Sequence, residues 1–200
     1  MFVRTESFKQ FKQLYPVVTT VVAIHLILFL SMKLPLLPNK LIFESLVGVN
    51  IYIGMGEYWR LVTPIFLHAG LAHVLFNSFS LVLFGPALER ALGKWLFVFV
   101  YLACGIAANI ATYLLNPPYY THLGASGAIF GLFGIYLAII ALKKGAMPPQ
   151  GKQVILPMAA IGVIMTFFQS GINITAHISG LIAGFLIGAL LIQIKPVRFW

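Results

Sequence analysis

Four stretches of this chain contain no Asp, Glu, Lys or Arg: residues 13–32, 61–88, 95–142 and 153–194 of 200. A helix needs about 20 apolar residues to cross the hydrocarbon core of a bilayer. The first two stretches therefore supply one span each, and the last two, 48 and 42 residues long, must fold back on themselves. Each contains a break. Asn116-Pro117-Pro118 cannot continue a helix, because proline lacks the N–H and clashes with the preceding turn, and Gln169-Ser170-Gly171 is a turn cluster. With 60% hydrophobic and only 8% charged residues, the chain reads as an integral membrane protein. The expected fold class is all-α: one polytopic domain over residues 1–200, with spans near 15–32, 70–88, 95–115, 125–142, 153–169 and 174–194. The fifth span is the shortest of these and holds Pro157 near its inner end.

A net charge of +9 invites a nucleic-acid partner, but its distribution argues against one. With the N-terminus inside, the inner segments hold Arg4, Lys9, Lys12, Arg90, Lys94, Lys143, Lys144, Lys152, Lys195 and Arg198, and the outer ones Lys33, Lys40 and Arg60. Ten against three is the bias expected of cytoplasmic loops, so the partner of this charge is the lipid bilayer, and both termini are predicted cytoplasmic. The first span lacks a small-residue cleavage site after it, since Lys33-Leu34-Pro35 is a poor one, and reads as a retained helix. Cys104 is the lone cysteine, which excludes an internal disulfide and a cysteine-rich metal site.

In this topology spans two, four and six all run from outside to inside. Their first turns hold His73 with Asn77, Ser126, and His177. Polar groups in a bilayer cost several kcal/mol each unless satisfied, so their agreement in depth suggests a site. Small residues explain how they could meet: Ala176, Gly180, Gly184 and Gly188 recur every four residues on span six, and Gly127, Gly131 and Gly134 line span four. Each element alone has a plainer reading. Gly124-Ala125-Ser126-Gly127 could be a close-packing helix start, His177 a satisfied polar group or proton-relay residue, and His73 with Asn77 a brace for a loop. His25, without polar neighbours at helical spacing, reads as structural, and His68 and His122 as loop or supporting groups.

Taken jointly, the residues spell a serine hydrolase. A serine hydroxyl needs a base to take its proton, and His177 is the base that can share its packing interface. Ser126 opens a helix whose first N–H groups are unpaired, and His73 and Asn77, four apart on one face, add side-chain donors for an oxyanion. The chain has no Asp, and Glu6, Glu44, Glu57 and Glu89 are expected outside the spans, which predicts a Ser–His dyad. An aspartyl mechanism lacks its paired carboxylates. A zinc hydrolase lacks a His-Glu-x-x-His helix, so no metal or other cofactor is expected.

These residues resemble the rhomboid family of intramembrane serine proteases. The matching motifs are Trp59-Arg60, His68 through His73-Val74-Leu75-Phe76-Asn77, Glu89 with Gly93, Gly124-Ala125-Ser126-Gly127, and Ala176-His177 followed by Gly180 and Gly184, in family order over about residues 55 to 190. The resemblance implies Ser126 as nucleophile, His177 as general base, and His73, Asn77 and the Ser126 backbone as oxyanion donors. It also implies transmembrane protein substrates, a water-filled cavity open to the extracellular side, a first outer loop (33–69) partly embedded in lipid, and a movable fifth helix that admits the substrate. Phe76 and Phe168 are candidates for an aromatic latch on that helix. Two departures stand out. Phe130 replaces a Tyr that stacks on the catalytic histidine in many members, keeping the ring and losing the hydroxyl, and Arg90 stands directly after Glu89 where an Arg two residues on is usual. The end at Trp200 matches the minimal six-helix form common in bacteria. The alternatives from other classes are a non-proteolytic binder of membrane helices, which typically lacks nucleophile or base, and a solute channel or transporter lined by His73 and His177, which would carry an inverted repeat.

Overall fold

The computed structural model describes Phe2 and residues 4–34 and 38–194. Lys195, Arg198 and Trp200 lie outside the described residues, as do Pro35 and the rest of 35–37 in the first outer loop. Among the described residues the regular structure is helical, apart from one two-residue strand pair. In chain order the helices are α1 (Phe8–Leu14), α2 (Pro16–Ser31), α3 (Asn39–Leu46), α4 (Asn50–Gly54), α5 (Leu71–Leu92), α6 (Lys94–Leu115), α7 (Ser126–Leu142), α8 (Pro149–Phe168) and α9 (Ile174–Ile194). Among the described residues α5, α6, α8 and α9 are long and apolar enough to cross a membrane; α1 with α2 makes a fifth candidate if their 111° bend is one broken span. The α7 helix, at 17 residues, is apolar but five residues shorter than α5 and α6.

The breaks fall where the sequence puts them. Asn116 ends α6, and Gln169 ends α8. Two boundaries differ. The fifth of the expected spans is not the shortest, because α8 has 20 residues against 16 in α2 and 17 in α7. Its helix starts early because Pro149 occupies the first turn, where a missing N–H costs nothing. Likewise α5 runs on to Leu92, so Glu89 is inside a helix rather than in a loop. It is 2% exposed, and its two carboxylate oxygens accept the backbone N–H groups of Val17 and Val18 at 2.9 Å each. Those are orphan donors of the first turn of α2, and satisfying them compensates the desolvated carboxylate.

At the centre stands α7. Twelve of its residues are buried, Gly127 through Tyr136 with Ala138 and Ile139. Its glycines meet those of α9 backbone to backbone: a Cβ added to Gly184 would overlap the Gly131 carbonyl oxygen, and one added to Gly134 would overlap the Leu181 carbonyl oxygen. On the other side Gly127 and Gly131 receive Ala108 and Cys104 of α6. Removing side chains brings the axes together, and in lipid this close packing replaces the hydrophobic drive that water supplies.

The described part of the segment between α2 and α5, residues 38–70, is folded as well. Arg60, 5% exposed, donates to Glu57 at 2.5 Å and to the carbonyls of Glu44 and Val47, while Trp59 Nε1 donates to the Ser45 carbonyl at 3.1 Å. Strand β1 (Gly48–Val49) pairs antiparallel with β2 (Thr121–His122), placing Gly48 opposite His122. The imidazole occupies the space a Gly48 side chain would need. This pair joins the first loop to the segment that leads into Ser126.

Candidate active site

Ser126 begins α7, with Gly124 two residues before it at φ +123°, a backbone conformation that favours glycine. The Gly124 N–H donates to the Pro64 carbonyl at 2.8 Å. A Cβ built on Gly124 would come within 2.6 Å of His73 Nε2 and 3.9 Å of Asn77 Nδ2. The first two turns of α5 thus hold both predicted oxyanion donors against the bend leading into the serine. Asn77 is 7% exposed, and its Nδ2 is oriented by donating to the His73 carbonyl at 3.1 Å, the i to i+4 contact their spacing implies.

His177 sits on the first turn of α9 and is 7% exposed. That turn is capped by Asn173, whose Oδ1 accepts the Ala176 N–H at 3.0 Å and whose Nδ2 donates to Thr112 of α6 at 2.9 Å. Phe130, one turn after Ser126, stacks on the imidazole with centroids 4.1 Å apart and planes at 19°. The replacement of Tyr by Phe leaves the stacking face in place. Ser126 and His177 flank the contact between Gly127 and Ala176, whose carbonyl oxygen lies 3.5 Å from a Cβ built on Gly127. Among the described residues Ser126 Oγ makes no hydrogen bond, to His177 or to any other group. A small cavity bounded by Ser126, Gly124, His122, Asn173 and Ala176 opens beside it.

Three further features bear on the site. His25 of α2 is not isolated: its ring lies 4.6 Å from that of His68, which lies 4.9 Å from that of His73. These residues are 43 and 5 positions apart along the chain, so no local periodicity connects them. His68 and His122, both outside the spans, are buried, and burial lowers them from 6.5 to about 3 and about 4 respectively. They are neutral at pH 7 and support the loop rather than carry charge. Finally, Thr166 of α8 hydrogen-bonds His177 Nδ1 at 2.8 Å, a partner that nothing in the sequence singles out. Among the described residues no carboxylate lies in this cluster; Glu89, 12 residues past Asn77 on α5, is about 18 Å further along the helix. Among the described residues no three His, Cys, Asp or Glu side chains are grouped to hold a metal.

The expected latch is not formed. Phe76 and Phe168 are 73% and 82% exposed, and no ring contact joins them. Near this end of α8 the structure shows instead the hydrogen bond between Thr166 and His177.

Comparison with known proteins places the chain. The rhomboid-domain family profile matches residues 55–194. The rhomboid protease YdcA of Bacillus subtilis is 47% identical over 199 residues, covering 100% of both chains. The rhomboid protease GluP of the same organism is 41% identical over 143 residues, 71% of this chain and 28% of that longer one. Rhomboid-like protease 2 of Toxoplasma gondii is 31% identical over 180 residues, 84% of this chain and 64% of its own.

Proposed function

The chain belongs to the rhomboid family, and from that membership we propose that it is a serine-type intramembrane endopeptidase, cutting transmembrane segments of membrane proteins with a Ser126–His177 dyad. The observation that carries this reading is the convergence of His73 Nε2 and Asn77 Nδ2 on Gly124, two residues ahead of Ser126. Donors gathered there meet the charge that develops when a carbonyl is attacked, and each is worth around 3 kcal/mol in the transition state.

The chemistry follows from the groups present. Ser126 Oγ adds to the scissile carbonyl carbon while His177 Nε2 takes its proton. The oxyanion receives N–H donors from His73, Asn77 and the Ser126 backbone. Collapse of the tetrahedral species expels the amine, which His177 protonates, and a water then repeats the cycle on the acyl-enzyme. No cofactor, metal or nucleic acid enters this scheme. The substrate helix must unwind at the cut, because an intact helix keeps its carbonyls in intrahelical bonds. Helices α2, α5, α6, α7, α8 and α9 serve as six spans of one membrane domain over residues 1–200. The distribution of cations supports cytoplasmic termini and a site opening to the extracellular side.

The test is labelling of the purified protein by a serine-reactive fluorophosphonate. Labelling is expected for the parent chain and lost in Ser126→Ala. Equal labelling of Ser126→Ala would overturn the assignment of the nucleophile.

A further inference from the structure

Of the 20 residues of α8 only Gly151, Ile155, Ala159 and Thr166 are buried. Thr166 is the last of these and is 1% exposed. Its hydroxyl stands 2.8 Å from the Gly162 carbonyl oxygen one turn back and 2.8 Å from His177 Nδ1. A hydroxyl has one proton to give. Either neighbour could take it; with the proton on the Gly162 carbonyl, which can only accept, a lone pair of Oγ1 faces Nδ1, and that is the arrangement assigned below. Two lone pairs at 2.8 Å would repel, so Nδ1 carries a hydrogen and donates it to Thr166. In a neutral imidazole a hydrogen on Nδ1 leaves the free lone pair on Nε2, the nitrogen available to a nucleophile. Stacking on Phe130 fixes the plane of the ring, but a ring in that plane can still turn over, exchanging Nδ1 with a carbon. The bond to Thr166 removes that choice.

We propose that Thr166 is the positioning residue of His177: by accepting from Nδ1–H it selects the tautomer with a basic Nε2 and makes the chemistry depend on the end of α8 being seated against α9. The proposal rests on the reading of Ser126 and His177 as nucleophile and base. It assigns to a neutral hydroxyl the orienting task that a carboxylate performs in a triad, at a site where no carboxylate stands. It also gives closure of α8 a chemical consequence. A displacement of the end of α8 from α9 would carry Thr166 away and leave the base without its orienter.

The experiment compares Thr166→Val, which keeps the shape and removes the acceptor, with Thr166→Ser, which keeps the acceptor, in the full-length protein. The readouts are the rate of Ser126 labelling by a fluorophosphonate, kcat and KM on a transmembrane substrate, and thermal stability. Thr166→Val is expected to slow labelling and lower kcat together by roughly ten- to a hundredfold, the loss seen when a metal-binding histidine is deprived of its orienting hydrogen bond, with KM unchanged. Thr166→Ser is expected to restore both. Labelling at the parent rate in Thr166→Val overturns the proposal, whatever happens to the transmembrane substrate, because Thr166 would then only dock α8. Failure of Thr166→Ser to restore labelling also overturns it, by tracing the loss to the missing methyl group. If instead Ser126→Ala is labelled like the parent, the underlying assignment of the nucleophile falls, and this proposal with it.

Discussion

Gly180 of α9 lies so close to the carbonyl oxygen of Gly127 in α7 that a Cβ added to Gly180 would overlap it, with the Gly127 Cα only 3.3 Å away. Gly180 is one turn from His177, and Gly127 is next to Ser126. Separation of the two helices at this point acts directly on the two groups proposed to exchange a proton. Gly180→Val should therefore reduce thermal stability and cleavage together. Overpacking costs typically 1–3 kcal/mol, and a displacement near 1 Å can cost about 100-fold in rate. Unfolding in detergent and turnover of a transmembrane substrate, measured on the same preparation, check both; a variant that matches the parent in each contradicts the contact.

Asn77 is held by its bond to the His73 carbonyl and faces Gly124. In the proposed role of oxyanion donor it would act on the transition state more than on bound substrate. Asn77→Ala should lower kcat by roughly ten- to a thousandfold with KM little changed. Steady-state kinetics that moved KM alone would recast Asn77 as a substrate-binding residue.

The carboxylate of Glu89 caps α2 from the last turn of α5, far from the proposed chemistry. Glu89→Ala leaves two N–H donors of α2 without acceptors and should cost about 2 kcal/mol of stability. At a temperature where the variant is still folded, fluorophosphonate labelling of Ser126 should proceed at the parent rate. Slow labelling of a fully folded variant would mean that Glu89 reaches the site by a route the structure does not contain.

His68 and His122 give the fold a pH dependence whose sign can be worked out. Each has its ordinary value of 6.5 when unfolded and is lowered by burial to about 3 and about 4 when folded. Between those values the unfolded chain binds more protons, so stability rises with pH there and is lost as pH falls below about 6.5. The slope approaches about 1.4 kcal/mol per pH unit for each histidine. Thermal unfolding at pH 7 and pH 5 should show the loss, and His122→Phe should reduce it. Equal midpoints at the two pH values would count against neutral, buried imidazoles.

Phe76 and Phe168 are exposed and no ring contact joins them, so they should act independently. A double-mutant cycle with both changed to Ala should give a coupling energy within about 0.5 kcal/mol of zero, in stability and in the rate on a transmembrane substrate. A larger coupling would restore the aromatic latch that the sequence suggests.

The amino-acid sequence by itself determined the class of this protein, the breaks that turn two long apolar stretches into four helices, the glycine stripes of α7 and α9, and the pairing of His73 with Asn77. All of these follow from local rules: bilayer thickness sets span length, proline stops a helix, and residues four apart share a face. The tertiary structure decided what those rules cannot reach. His25 meets His68 only because α2 packs beside the loop before α5, and Thr166 meets His177 only because the ends of α8 and α9 come together across a turn. Glu89 reads as a loop residue because its charge is visible in the sequence, whereas the two N–H donors that let it be buried belong to another helix about 70 residues away. A polar side chain in a membrane protein is explained by its partner, and the partner is chosen by packing. Sequence marks the residues that need one; the fold supplies it.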